Sequence, residues 1–264
     1  MLRKLFRSRS GPARVAAAGL SITRQFCQQG YVILPQLFSS EDIAVMRKAA
    51  AGLFPDNRPP YEPRFSNDAH FIEPIRSTIF NNAKLLGSMR ELLGDDFLFL
   101  NEFGLHDSFF SGWHSDTSSP EAKGGHEFHW SPQFCVVNAA IYLQDGSLDV
   151  IPGSYVCDDP LAQKMLNKPS PENAYDSALS LPSKAGDVVI FHLRTSHRAT
   201  PMSKAPSTES ERKFALFMIA GLDNAHTRRY REWLDEYDRM NQTQRPAVRN
   251  DFRDYMQARS LKVI

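Results

Sequence analysis

The segment GDVVIFHLRTSH, residues 186–197, is the most informative part of this 264-residue chain. A Gly-Asp turn precedes β-branched and aromatic residues, a composition typical of a strand, and His197 closes the segment. Similar strand-like runs occur at 97–100, 134–143 and 214–219, with turn-rich segments between them. Helical patterns precede and follow these runs. This order predicts a mainly β fold, a double-stranded β-helix (jelly-roll, cupin-like) core with N- and C-terminal helices.

Helices are predicted on both sides of the strand-like runs. An amphipathic helix is expected to begin at the capping sequence SSED, residues 39–42, because apolar residues follow it at helical spacing. Residues 82–93 predict a second helix, which Gly94 ends. Beyond residue 225, apolar residues recur at helical spacing among charged neighbours, so we predict a C-terminal helical extension over 225–264.

Length and composition indicate a single domain. The chain suffices for one jelly-roll barrel and is too short for two, so we predict a basic tail over 1–24 and one domain over 25–264. The net charge of +1 argues against a nucleic-acid partner. No apolar run approaches the roughly 20 residues that span a bilayer, so no transmembrane segment is expected. A cytoplasmic location is expected because the cysteines lack paired spacing: Cys27, Cys135 and Cys157.

The first 24 residues are basic and contain no acidic residue. Three interpretations stay open: a flexible tail, a mitochondrial presequence if the source is eukaryotic, and an anchor for peripheral membrane contact. The apolar faces of the C-terminal helices leave three further alternatives. They pack on the outside of the barrel, form a lid or form a dimer surface, and both a monomer and a homodimer stay open.

Candidate metal ligands occur in the order His114, Asp116, His197. Residues two apart in a strand point to the same side, so His114 and Asp116 could meet one ion. Two imidazoles and one carboxylate on one face of an ion are typical of non-haem Fe(II) sites and leave the opposite face open. His192 is the rival third ligand. Its interval of five residues from His197 would place the two on opposite faces of an unbroken strand.

The chain resembles the phytanoyl-CoA dioxygenase family in four motifs that span roughly residues 26–221. They are, in order, GYVILP and LFSSE at 30–35 and 37–41, WHSD at 113–116, GSLDVIPGS at 146–154, and the segment 186–197. Tyr155 stands where the family commonly has a histidine, and the segment between His197 and Arg212 is longer and more polar than usual. The resemblance implies the jelly-roll fold and selects His197 over His192 as the third ligand.

The resemblance also implies an activity. It is that of an Fe(II)- and 2-oxoglutarate-dependent dioxygenase, which uses O2 to hydroxylate an unactivated C–H bond of a small organic substrate, anionic or lipid-linked, and releases succinate and CO2. Arg212 is the expected anchor for 2-oxoglutarate, because a planar guanidinium binds a carboxylate through two parallel hydrogen bonds, whereas Lys213 acts as a point charge. Thr200 is expected to assist. The expected substrate contacts are His129, Trp130 and Arg198.

Several alternatives stay open within this interpretation. Asp116 favours hydroxylation over halogenation, because halogenating relatives carry a small residue in place of this carboxylate. Desaturation, ring formation and epimerisation use the same iron, and a non-catalytic jelly-roll protein that binds a small ligand is a further alternative. For the segment 118–131, which contains His126 and His129, a hydrated loop is the alternative to a substrate contact.

Overall fold

A computed structural model of the chain describes residues 21–53, 64–107, 112–117, 131, 133–155, 178–201, 214–241 and 247–264. Two β-sheets lie among helices that come from both ends of these ranges. The predicted mainly β architecture with flanking helices is therefore confirmed. In the ranges given, no helix combines the length and the apolar character that crossing a lipid bilayer requires.

The N-terminal part of the domain begins earlier than predicted. Helix α1 (Ile22–Gln29) starts three residues before the predicted boundary at residue 25, and Ser21 caps it by accepting a hydrogen bond from the Arg24 N–H. Gly30 ends the helix with φ 81°, a left-handed conformation that favours glycine. Residues 22–24, predicted as the end of the basic tail, lie in this helix. Residues 1–20 lie outside the described part, so the division into tail and domain stays a prediction.

Strand β1 (Tyr31–Leu34) leads into helix α2 (Ser40–Ala51), whose start confirms the predicted capping sequence. The Ser39 side chain accepts from the Asp42 N–H, and the Asp42 carboxylate accepts from the Ser39 N–H. The predicted helix over 82–93 is also confirmed, as α4 (Ala83–Leu93), with Asn82 as its N-cap. The sequence pattern did not predict the short 3₁₀-helix Ala69–Phe71 or helix α3 (Glu73–Phe80).

The strands of the larger sheet after β1 are β2 (Arg64–Ser66), β3 (Leu98–Asp107), β4 (Val136–Tyr142), β7 (Val188–His192), β9 (Phe214–Gly221) and β10 (Lys262–Val263). Their order is β1-β7-β4-β9-β3-β10, and β2 pairs with β3 at the edge of the sheet. Its neighbouring strands are antiparallel, except that β10 runs parallel to β3. All four predicted strand-like runs lie in this sheet.

The smaller sheet consists of β5 (Gly146–Val150), β6 (Leu179–Ser183) and β8 (His197–Ala199). Its order is β6-β5-β8, with all neighbours antiparallel. An isolated bridge joins His114 to His197, so the segment 112–117 adds a single pair of residues to this sheet. The strand assumed around His114 and Asp116 is therefore a bridge followed by a turn.

Alternation along β4 separates the two faces of the larger sheet. Val137, Ala139 and Ile141 pack in the cluster formed with the N-terminal helices. Ala140 and Tyr142 pack instead against apolar residues of the smaller sheet, so this second face lines the interior between the sheets. Asn138 lies on the same inward face of β4.

The C-terminal region is not only the helical extension predicted over 225–264. Helix α5 (Ala225–Asn241) packs on the barrel through Tyr230, Trp233 and Leu234, and helix α6 (Asn250–Gln257) packs against the helical layer. After α6 the chain adds β10 beside β3, because the Ile264 N–H donates to the Phe99 carbonyl. Packing on the barrel, one of the three alternatives for these helices, is therefore observed.

Candidate metal centre

The structure brings together the side chains of His114, Asp116 and His197. Asp116 Oδ1 lies 3.6 Å from His114 Nε2 and 3.5 Å from His197 Nε2. One ligand atom from each side chain lies within 4.8 Å of the other two. Three ligands on one face of an octahedral ion, at bonds of about 2.1 Å, would lie about 3 Å apart. The donor set and its spacing therefore fit a divalent non-haem metal ion such as Fe(II).

Backbone carbonyls fix the orientation of both imidazole rings. His114 Nδ1 lies 2.8 Å from the Gly112 carbonyl oxygen, and His197 Nδ1 lies 2.9 Å from that of Thr195. A carbonyl oxygen only accepts, so each Nδ1 carries a proton, and each Nε2 is the ring nitrogen directed to the metal position. Burial lowers the pKa of His197 to about 4, although Asp116 opposes the shift, so this ring is neutral at pH 7.

Asp116 is held by three contacts outside the ligand set. Its backbone N–H donates to the Leu193 carbonyl at 2.9 Å, and its backbone carbonyl accepts from the Tyr230 hydroxyl at 3.2 Å. The Asn138 amide donates to Asp116 Oδ2 at 3.0 Å. The other carboxylate oxygen, Oδ1, is therefore the one that faces the two imidazoles.

Ser154 of the Pro-Gly-Ser motif holds the backbone next to the third ligand, His197. The Ser154 hydroxyl donates to the Ile151 carbonyl at 2.7 Å and accepts from the Ser196 N–H at 2.9 Å. The next residue, His197, exchanges two backbone hydrogen bonds with His114, at 2.9 and 3.0 Å. The family motif therefore fixes the backbone on which both histidine ligands are paired.

His192 is a buried structural residue, as the resemblance implies, but the geometric reason differs from the predicted one. Strand β7 ends at His192, and a turn carries the chain into β8 of the other sheet, so no unbroken strand joins His192 to His197. His192 Nε2 donates to the Phe134 carbonyl at 3.1 Å, and Nδ1 accepts from the Arg194 N–H at 3.1 Å. Burial lowers the pKa of His192 to about 3. Both ring nitrogens therefore hold the turn between the sheets.

The structure does not bring Arg198 and Thr200, expected as a substrate contact and a co-substrate contact, to the ligand atoms; both side chains contact Asp149 instead. Arg198 is paired with Asp149 across β8 and β5, and its Nε donates to the Asp149 carboxylate at 2.9 Å. The Thr200 hydroxyl donates to the same carboxylate at 2.5 Å. Since side chains alternate along β8, both lie on the face opposite His197. Arg198 also lies over the Trp113 ring, 4.9 Å from its centre.

The remaining predicted site residues lie outside the described residues. These are Arg212, His129 and Trp130, together with the alternatives Lys213 and His126. Their assignments stay predictions from the sequence.

Two polar residues near the centre were missed in the sequence analysis. Asn138 is a polar residue in the middle of an apolar strand, a signal that could have identified it. His106 lies on β3 beyond residue 100, where the predicted strand ended, and its ring lies 4.6 Å from Phe217. Burial lowers the pKa of His106 to about 4, and the charge of Asp116 opposes this shift, so His106 is a neutral neighbour of the centre.

A jelly-roll core that gathers two histidines and a carboxylate around one ion position defines a class, the mononuclear non-haem metalloproteins of this fold. The chain belongs to the phytanoyl-CoA dioxygenase family, whose model matches residues 26–207. The match includes His114, Asp116 and His197, and it confirms the resemblance on which the sequence analysis relied.

Individual relatives are more distant. The ectoine dioxygenase of Sphingopyxis alaskensis is 28% identical over 159 residues, which cover 54% of this chain and 49% of that protein. The chain therefore spans about half the length of this relative. Its name describes one member of the family and does not by itself assign a substrate to this chain.

Solved structures share the fold at low sequence identity. HygX from Streptomyces hygroscopicus, with nickel and 2-oxoglutarate bound, has a TM-score of 0.57 and 18% identity, covering 75% of this chain and 85% of HygX. The carbocyclase SnoK from nogalamycin biosynthesis has a TM-score of 0.57 and 18% identity, with coverages of 81% and 92%. The epimerase SnoN from nogalamycin biosynthesis, solved with Fe3+ and alpha ketoglutarate, has a TM-score of 0.56 and 15% identity, with coverages of 76% and 82%.

Proposed function

We propose that the chain is an Fe(II)- and 2-oxoglutarate-dependent dioxygenase that hydroxylates an unactivated C–H bond of a small organic substrate. The observation that carries this proposal is the grouping of His114, Asp116 and His197 around one position in a phytanoyl-CoA dioxygenase fold. Proteins of similar fold bind the same groups: HygX was solved with 2-oxoglutarate, and SnoN with iron and alpha ketoglutarate.

Each part of the chain has a defined task in this proposal. His114 and His197 would hold Fe(II) through their Nε2 atoms, and Asp116 would hold it through Oδ1. When bound, the iron would supply the oxidising chemistry, coupling the use of O2 to the conversion of 2-oxoglutarate into succinate and CO2. Arg212 would pair with the distal carboxylate of 2-oxoglutarate, as its place in the sequence indicates.

Aromatic side chains next to the ligands favour an oxidation whose outcome depends on how the substrate is positioned. The Phe191 ring lies 4.5 Å from the His197 ring, and the Phe217 ring lies 4.6 Å from His106. Aromatic walls of this kind exclude water and hold a substrate in one orientation, and the orientation decides which hydrogen atom is removed. Neutral His197 and His106 add no positive charge to these walls.

The same metal site supports other outcomes, and two of the structural neighbours are an epimerase and a carbocyclase. Epimerisation, ring formation and desaturation are therefore alternative products. Halogenation is disfavoured, because the Asp116 carboxylate occupies the coordination position that a halide would need. A non-catalytic binding protein is the alternative from another class, and an intact ligand set argues against it.

The test is Fe(II)-dependent release of succinate from 2-oxoglutarate by the purified protein without added substrate, a slow uncoupled reaction. The wild-type protein should release succinate with Fe(II) and not with the metal chelated, and His197→Ala should be inactive. A folded wild-type protein that binds 2-oxoglutarate but never releases succinate would support the binding-protein alternative. Mass spectrometry of cell extracts incubated with the enzyme then separates hydroxylation, which adds one oxygen atom, from epimerisation, which leaves the mass unchanged.

A further inference from the structure

Asn138 occupies an unusual place for an amide side chain. It lies in the middle of β4, a strand whose residues are all buried, and only 7% of Asn138 is exposed. Its cross-strand neighbours are Phe191 on β7 and Ile219 on β9, both apolar. The Asn138 side chain is therefore a polar group inside the apolar wall of the barrel.

Among the described residues, the polar partner of the amide is Asp116. Nδ2 donates to Asp116 Oδ2 at 3.0 Å, and this assignment is chemically required because an ionised carboxylate only accepts. The other end of the amide, Oδ1, is buried and has no hydrogen-bond donor in the part of the chain that the structure describes. Burial of an acceptor without a donor opposes folding. A position that served only to stabilise the barrel would be better filled by an apolar residue of the same size.

We propose that Asn138 is a positioning residue that holds Asp116 as a metal ligand through a single oxygen. This inference rests on the proposed function and deepens it. A carboxylate that is free to rotate can bind a metal with both oxygens and occupy one more coordination position. Because Asn138 holds Oδ2, Asp116 offers Oδ1 to the metal, next to the Nε2 atoms of His114 and His197. The positions needed by the co-substrate and O2 then stay open.

The test uses Asn138→Leu, which keeps the branching of the side chain at Cγ and removes both its donor and its acceptor. Titration of the metal-free protein with Co(II) alone should show a dissociation constant about 10- to 100-fold higher than in the wild type. The visible absorption of bound Co(II), whose intensity depends on coordination number and geometry, should also change. The melting temperature of the metal-free protein should be unchanged or higher, because the buried acceptor without a donor is gone.

Asn101→Leu is the matched control, because Asn101 is another buried asparagine, whose Oδ1 lies 3.0 Å from His70 Nε2. It should lower the melting temperature and leave the Co(II) affinity unchanged. Asn138→Ser, which is too short to reach Asp116, should repeat the loss of Co(II) affinity if Asn138→Leu does not fold. Co(II) affinity and absorption like those of the wild type in a folded Asn138 variant would overturn the inference. A wild-type protein that binds no Co(II) would overturn the proposed function and the inference with it.

Discussion

A carboxylate lies on each face of strand β8, and the two carboxylates have different surroundings. On the outer face, Asp149 of β5 accepts from the Ser180 hydroxyl at 2.6 Å, the Arg198 guanidinium at 2.9 Å and the Thr200 hydroxyl at 2.5 Å. On the inner face, Asn138 is the side chain that donates to Asp116 within the described residues. The second oxygen of Asp116, Oδ1, faces the Nε2 atoms of His114 and His197.

This difference separates a structural site on one face of β8 from the candidate metal site on the other. The protein itself supplies the donors that Asp149 needs, so the outer cluster is complete. The inner cluster groups Asp116 Oδ1 with the Nε2 atoms of two imidazoles, a donor set that a metal cation stabilises. The presence of a carboxylate and basic side chains therefore does not identify a site, whereas the balance of donors and acceptors does.

The largest expected difference comes from replacing each carboxylate by alanine. Asp116→Ala should weaken Fe(II) binding by more than about 100-fold, because loss of a ligand exceeds the loss typical of residues that only support ligands. Product formation should fall by several orders of magnitude even with excess iron. Equilibrium metal titration and product analysis at saturating Fe(II) measure these effects. Product formation by Asp116→Ala close to that of the wild type would show that the metal ligands have been misassigned.

Replacing Arg212 tests whether this residue is the anchor for 2-oxoglutarate. Arg212→Leu should raise the Michaelis constant for 2-oxoglutarate roughly 100-fold, given about 2–5 kcal/mol for losing one partner of a buried charge pair. Lys213→Leu, the matched control, should raise it much less. Steady-state kinetics with varied 2-oxoglutarate make the measurement, and the reverse ranking would move the anchor to Lys213.

Asp149→Ala should instead affect stability. It leaves Arg198 and two hydroxyls without their shared acceptor, and we expect a loss of roughly 2 kcal/mol in the free energy of unfolding, less than for a fully buried pair because Arg198 is partly exposed. Urea unfolding of the metal-free protein measures this loss. The Fe(II) affinity of the folded variant should stay within about threefold of the wild type, and a loss as large as that of Asp116→Ala would contradict the separation of the two faces.

The smallest expected effect is that of Thr200→Val, which keeps the shape and removes one hydrogen bond to Asp149. The free energy of unfolding should fall by about 1 kcal/mol. The Michaelis constant for 2-oxoglutarate should not change, because the hydroxyl points to the outer face. A clear rise in that constant without a loss of stability would restore the co-substrate role expected from the sequence.

The sequence predicted the elements whose signals are local. Capping residues located the starts of α2 and α4, and apolar runs located the central strands. Helix α3 and strand β10 carried no comparable signal, because β10 is short and owes its conformation to pairing with β3. Residues 22–24 were assigned to the tail because Arg24 follows other basic residues before any acidic one, although Ser21 caps a helix that begins at Ile22.

For the site, the sequence identified the three grouped side chains but not the orientation of their neighbours. Arg198 and Thr200 follow His197 closely, and proximity in sequence suggested a shared site. Alternation along β8 and the buried carboxylate of Asp149, a residue on another strand, turned both outward. Asn138 was missed because its contact with Asp116 joins positions 22 residues apart, which nothing local in the sequence connects.

Anaerobic titration with Fe(II) in the presence of 2-oxoglutarate tests the central claim most directly. An iron-chelated keto acid gives a weak visible charge-transfer band, and the wild-type protein should develop it with a single equivalent of Fe(II) per chain. His226→Ala, a matched control on α5 whose Nε2 lies 2.8 Å from Gln133, should give the same band. His197→Ala, if folded, should give none. An unchanged band in folded His197→Ala, or no band in the wild type, would contradict the account.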